Sequence, residues 1–175
     1  MIKKIILSFF ILTTVSELTF AEGKSYVGGS VGVTNLGYTQ YKNGKLEAGA
    51  IGKLFGGYGS TFGESRKFYL GGELNFDLAS YPNNALTSST NYALGASLIP
   101  GIMLTPDTMI YGRLGLQANR FDGSGNSIQF GDQLGLGAQT KISKKWDVRA
   151  EYISVSNVAT KRDSQLLTGL VYNFG

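Results

Sequence analysis

Along residues 68–78 every even position is apolar or glycine (Phe68, Leu70, Gly72, Leu74, Phe76, Leu78), and Glu73, Asn75 and Asp77 fall between them. A period of two puts the two sets on opposite faces of one strand. Seven further stretches repeat the pattern. Residues 25–34 place Val27, Val31 and Val33 together. Residues 46–62 set Leu46, Ala48, Ala50, Leu54, Tyr58 and Phe62 against Glu47, Lys53 and Thr61. Residues 91–104 align Tyr92, Leu94, Ala96, Leu98, Ile102 and Leu104. Residues 108–121 oppose Ile110, Leu114, Leu116 and Ala118 to Arg113, Gln117 and Asn119. Residues 129–142 oppose Leu134, Leu136, Ala138 and Ile142 to Gln133, Gln139 and Lys141. Residues 146–155 oppose Trp146, Val148, Ala150 and Tyr152 to Asp147, Arg149 and Glu151. Residues 165–174 oppose Leu166, Leu170, Tyr172 and Phe174 to Gln165 and Asn173.

The links between these eight stretches alternate in length. Residues 35–45, 81–90, 122–128 and 156–164 are long links, whereas 63–66, 105–107 and 143–145 are tight turns. Such alternation is the habit of an up-and-down meander whose two ends face different surroundings, with short turns periplasmic and long loops extracellular in outer-membrane barrels. The pattern predicts an all-β chain, an eight-stranded antiparallel up-and-down β-barrel that is transmembrane if its apolar face is outside.

The ends of the sequence bear on that choice. Lys3 and Lys4 precede an apolar run at 5–15, and Thr19, Phe20 and Ala21 have the small-residue form of a cleavage site. This reads as a cleaved signal peptide over 1–21, too short to span a bilayer as a helix. Residues 22–175 then form one barrel domain. Removal of Lys3, Lys4 and Glu17 leaves a net charge of +3, too mild to imply nucleic acid. With no cysteine there is no disulfide or thiolate site. The 25 glycines and the 20 phenylalanines and tyrosines favour repeated strands over disorder.

Which face meets lipid follows from volume. An eight-stranded cylinder has an interior just wide enough for side chains or one small ligand. Eight strands' worth of Leu, Ile, Val, Phe, Tyr and Trp would overfill it, so the apolar face is expected outside. The opposite face carries Lys53, Glu73, Asp77, Arg113, Lys141, Asp147, Arg149 and Glu151, four basic and four acidic residues that can pair across the lumen. Tyr26, Phe62, Phe68, Tyr92, Trp146, Tyr172 and Phe174 lie near strand ends and are expected to form interfacial girdles. A soluble lipocalin-like binder would instead need the apolar face inside.

The last stretch, LLTGLVYNF, with the pieces YLGGEL (69–74) and VRAEY (148–152), resembles the small eight-stranded outer-membrane barrels, the OmpA/OmpX-like and opacity-protein-like group of the porin superfamily. The resemblance spans essentially the whole chain after the signal. It implies an outer-membrane location in a Gram-negative bacterium, with outer-membrane lipid and lipopolysaccharide around the barrel. It also implies recognition of the final strand by the barrel-assembly machinery through Leu170, Tyr172 and Phe174. The pattern departs from the family's in one respect, because Gly175 follows the terminal aromatic.

Catalytic chemistry is sparse. The absence of histidine excludes a Ser-His-Asp triad, a histidine metal site and an imidazole base. No cofactor is expected. Glu73 and Asp77, like Asp147 and Glu151, are carboxylates four apart on one strand face, a spacing open to glycoside chemistry. Beside Lys53, Arg113 and Arg149 they read instead as a salt-bridge plug. GGYGSTFG (56–63) lacks the Gly-Lys-Ser/Thr ending of a phosphate loop, and LGLGAQ (134–139) lacks the third glycine of a dinucleotide fingerprint. The long loops offer Tyr38, Tyr41, Lys42, Lys45, Lys161 and Arg162 as surface contacts for lipopolysaccharide or a host surface molecule, although charged loop tips are also ordinary solvated surface. The functions left are envelope integrity or adhesion through the loops, with a narrow solute channel as the alternative.

Overall fold

The computed structural model describes residues 23–35, 49–63, 65–81, 89–120, 128–157 and 161–174. The expected signal peptide and Tyr38, Tyr41, Lys42 and Lys45 lie outside the described residues. The strands are β1 (Lys24–Asn35), β2 (Gly49–Phe62), β3 (Phe68–Tyr81), β4 (Ser89–Thr105), β5 (Thr108–Arg120), β6 (Ile128–Lys141), β7 (Trp146–Asn157) and β8 (Lys161–Phe174). Each pairs antiparallel with its sequence neighbour, and β1 closes on β8 through Val27↔Tyr172 and Val33↔Leu166, giving one eight-stranded barrel. Closure leaves no strand edge unpaired, which a wall in hydrocarbon requires. At 12–17 residues the strands exceed the roughly 9–11 that a tilted membrane strand needs.

The alternation resolves as the volume argument requires. Phe68, Leu70, Leu74, Phe76 and Leu78 all point outward and are exposed, as are Leu116 and Leu136, the latter 72% exposed. The inward residues of the same strands are buried. A soluble binder with its apolar face inside is therefore overturned.

The short-turn end is braced. The amide of Met103 donates to the Lys67 carbonyl (2.7 Å), Lys141 to Asp107 (2.8 Å) and Asn173 to Lys145 (2.8 Å), so each turn is tied to the next strand. The β2–β3 turn reverses through Gly63 (φ 86°) and Arg66 (φ 49°), a left-handed backbone that a bulky residue adopts only when its surroundings impose it. Outside this end, Phe62 stacks on Phe68 (centroids 5.7 Å), and Trp146, Tyr172 and Phe174 meet edge to face at 5.1 Å. They form an aromatic girdle. Tyr26 is not part of it: out of phase with Val27, it points inward and is 5% exposed.

Candidate functional site: the barrel interior

The interior is built in layers. Toward the long-link end, Ile51, Ile153, Val155 and Leu167 form an apolar cluster. Toward the short turns, Tyr26, Phe55 and Val171 form a second, and Ile99, Met109 and Tyr111 a third with Tyr69 and Met103 against it. Each well-buried side chain of this size contributes about 1.5–3 kcal/mol. Three of the aromatic rings sit where glycine faces them across a strand pair: Tyr26↔Gly57, Phe55↔Gly28 and Tyr111↔Gly137. A Cβ at any of these glycines would run into the opposite ring, so glycine provides the room for rings inside a narrow cylinder.

Between the apolar layers lies the charge. Lys53 Nζ meets Asp77 Oδ2 at 2.9 Å, and Asn75 Nδ2 donates to the other oxygen of Asp77 at 2.8 Å. Arg113 is fully buried. Its Nε donates to Glu151 Oε1 (2.7 Å), its Nη1 to Ser97 Oγ (3.1 Å), and its Nη2 to both Glu73 and Glu151. Arg149 Nη1 donates to Glu73 Oε2 (2.6 Å), and its Nε and Nη2 both donate to Gln139 Oε1 (3.0 and 2.9 Å). The same guanidinium lies 4.4 Å from the Phe55 ring centre, 5.3 Å from that of Tyr111 and 5.6 Å from that of Tyr26. Glu73 thus holds two arginines and accepts from the Tyr26 hydroxyl (3.1 Å). Unpaired, these charges would be prohibitively costly to bury, but each is matched by an opposite charge with further hydrogen bonds.

An amide chain continues the layer: Arg113 to Ser97, Ser97 to Gln133 (3.2 Å), Gln133 to Gln117, and Gln117 to Asn119 (2.7 Å). Ser97 has no base beside it in these contacts, and Glu73 and Glu151 are both engaged by Arg113. Among the described residues no cluster of three or more His, Cys, Asp or Glu side chains could hold a metal.

Two expected members of the charged set depart from it. Lys141 is exposed at the last position of β6, 3.9 Å from Asp107 in the β4–β5 turn. Placed at the rim, its ammonium keeps its water, which avoids the desolvation penalty of the interior. Asp147 points inward, yet it is held by amides, Gln139 Nε2 at 2.6 Å and Asn173 Nδ2 at 3.0 Å, and among the described residues no cation pairs with it. Lys161 and Arg162 are also displaced. They begin β8, paired with Asn157 and Ser156, because the β7–β8 ladder runs farther than the alternation suggests. Leu170 and Phe174 point outward and exposed on β8, with Tyr172 half-buried between Trp146 and Phe174.

The inward aromatic and aliphatic side chains were not anticipated. The signal that finds them is parity on their own strand: Phe55 shares it with Lys53, Tyr69 with Glu73, Tyr111 with Arg113 and Ile153 with Glu151.

A closed antiparallel wall, apolar outside and ionic within, is the construction of a transmembrane β-barrel of the outer-membrane type. The chain belongs to the outer membrane protein beta-barrel domain family, which it matches over residues 5–174. It is 30% identical over 189 aligned positions to outer membrane protein A of Yersinia pseudotuberculosis serotype I (strain IP32953), an alignment covering 93% of this chain and 52% of that protein. The chain therefore spans about half the length of this curated relative. Among solved structures it is similar to Ail, the attachment invasion locus protein of Yersinia pestis, in complex with the heparin analogue sucrose octasulfate. That likeness has a TM-score of 0.59 at 17% identity and covers 88% of this chain and 100% of that one. Neisserial surface protein A is similar too, with a TM-score of 0.61 at 16% identity and the same coverage. These two likenesses are of fold.

Proposed function

We propose that this outer-membrane barrel is closed and non-enzymatic, and that it acts through its long loops in surface contact and envelope integrity. The observation that carries this reading is the buried set Lys53–Asp77, Arg113–Glu73, Arg113–Glu151 and Arg149–Glu73 spanning the interior between apolar layers. For the narrow-channel alternative to hold, these pairs would have to part and the rings of Tyr26, Phe55 and Tyr111 would have to move aside. The eight inward charged positions of the sequence then divide by role: six form the plug, Asp147 lines the short-turn mouth and Lys141 serves the rim.

The partners on this reading are outer-membrane lipid and lipopolysaccharide, the barrel-assembly machinery through Leu170, Tyr172 and Phe174, and an anionic host surface molecule. The last would meet Tyr38, Tyr41, Lys42 and Lys45 in the first long link and Lys161 and Arg162 beside the fourth. Ail's complex with a heparin analogue offers a probe. Cells displaying this barrel are expected to retain immobilised heparin, and Lys42→Gln, Lys45→Gln, Lys161→Gln and Arg162→Gln together are expected to abolish retention. Equal retention by both would sink the glycan reading. The leader reading is checked by the mass of the exported protein, which should begin at Glu22.

A further inference from the structure

The short-turn rim carries charge that neither the interior nor the long loops use. Lys24 stands at the start of β1, Arg66 and Lys67 in the β2–β3 turn, Lys141 at the end of β6, and Lys144 and Lys145 in the β6–β7 turn. All six are exposed. Among the described residues of this rim the one exposed acid is Asp107, which Lys141 faces. The sequence adds Glu22 and Glu64 beside these positions and Asp147 lines the mouth, so six cations stand against four acids at this end.

We propose that this rim is a collar for anionic phospholipid headgroups in the membrane leaflet around the short-turn end. Its shape fits a leaflet better than a protein partner. Exposed cations occur at three of the four places where the chain starts or turns at this end (Lys24, then Arg66 and Lys67, then Lys144 and Lys145), so they ring the barrel instead of forming a patch on one side. Its height fits too. The cations border the girdle of Phe62, Phe68, Trp146, Tyr172 and Phe174, where amphipathic rings mark the headgroup level. Lys145 Nζ lies 5.8 Å from the Tyr172 ring centre, which puts its ammonium at that level. The backbone bonds at Lys67, Asp107 and Lys145 hold the rim in place, so little ordering is needed when a phosphate docks. Basic residues beside a bilayer attract anionic lipid, and the attraction weakens with salt.

The inference rests on membrane insertion with the short turns at one interface, and it is independent of whether the lumen is closed. The test uses the full barrel refolded into bilayers of phosphatidylcholine with a minor fraction of spin-labelled phosphatidylglycerol. A heat-modifiable gel shift first confirms that each variant is folded. The wild type is expected to favour phosphatidylglycerol over phosphatidylcholine several-fold at low salt, and by a factor of about 1 in molar salt. Arg66→Asn, which keeps a residue tolerant of positive φ, combined with Lys67→Gln, Lys144→Gln and Lys145→Gln, is expected to remove the preference. Lys144→Gln with Lys145→Gln alone is expected to reduce it, which keeps the test open if the fourfold variant misfolds. Lys144→Arg with Lys145→Arg, which keeps both charges, is expected to leave it unchanged. No preference in the wild type, or one that survives both Gln variants, overturns the collar. So does capture by isolated peptidoglycan that depends on the rim cations while lipid preference is absent. A protein that shows no gel shift and needs no detergent would instead sink the membrane reading itself.

Discussion

Arg149 on β7 donates from Nη1 to Oε2 of Glu73 on β3, 2.6 Å away, although the two strands stand on opposite sides of the barrel. That bond crosses the lumen. Glu73 also binds Arg113, so one carboxylate ties β3 to both β5 and β7. Replacing Glu73 with Ala leaves two buried guanidiniums short of their shared partner, and the expected loss is about 3–5 kcal/mol. Urea unfolding of the barrel in lipid vesicles reads it. A loss below about 1 kcal/mol would mean that the cluster is not a structural unit.

Removing both members of a pair is a different experiment. Lys53→Met with Asp77→Leu exchanges an ion pair for apolar volume and is expected to be neutral or stabilising. Lys53→Met alone strands a buried carboxylate and should be clearly destabilising. The same unfolding assay compares the two, and equal losses would argue that the pair is solvated.

The glycines facing inward rings make a prediction of steric sign. Gly137→Val drives its side chain into the Tyr111 ring and is expected to cost about 1–3 kcal/mol. Coupling it with Tyr111→Ala should recover part of that loss in a double-mutant cycle. Gly72 faces outward, and a Cβ there meets nothing within 4 Å, so Gly72→Ala is expected to stay within about 0.5 kcal/mol of wild type.

The outer belt predicts a penalty that depends on membrane depth. Leu74 is 69% exposed near the middle of β3, and Leu74→Arg is expected to cost about 2–4 kcal/mol in a bilayer. Lys144→Arg at the rim should be silent. Equal tolerance at both positions would contradict lipid contact at Leu74.

Phe174 packs edge-on against Tyr172 at 5.1 Å, a pair worth about 0.5–1.5 kcal/mol beyond the area it buries. If the final strand is an assembly signal, the amount of folded protein in the outer membrane should fall several-fold while refolding from urea proceeds normally. Parallel losses in the cell and in vitro would reduce Phe174 to a packing role.

Much of the fold was legible because membrane strands repeat one simple rule. From Phe68 to Leu78 each outward position is apolar or glycine, and the other strands follow the same alternation with few exceptions, so the eight segments and their outer face could be read directly. The interior obeys no such rule. Lys53, Asp77, Arg113 and Glu151 could be assigned inward by parity, but the pairing of Glu73 with Arg149 depends on strands that lie far apart in sequence and opposed in space. Lys141 had the right parity and the wrong height, because alternation says which face a residue takes and not how near the rim it lies. Tyr26, Phe55 and Tyr111 were obscured by expecting a uniformly polar lumen, when a narrow cylinder with facing glycines has room for rings.

On the reading proposed above, the ion pairs between β2 and β3, and among β3, β5 and β7, keep the lumen shut. Planar-bilayer recording of the refolded barrel, verified by its heat-modifiable gel shift, tests it most directly. No unitary current is expected from the wild type, with flickering openings or outright destabilisation once Arg149 is replaced by Ala. Steady channels from the wild-type barrel would contradict it and make this protein a pore.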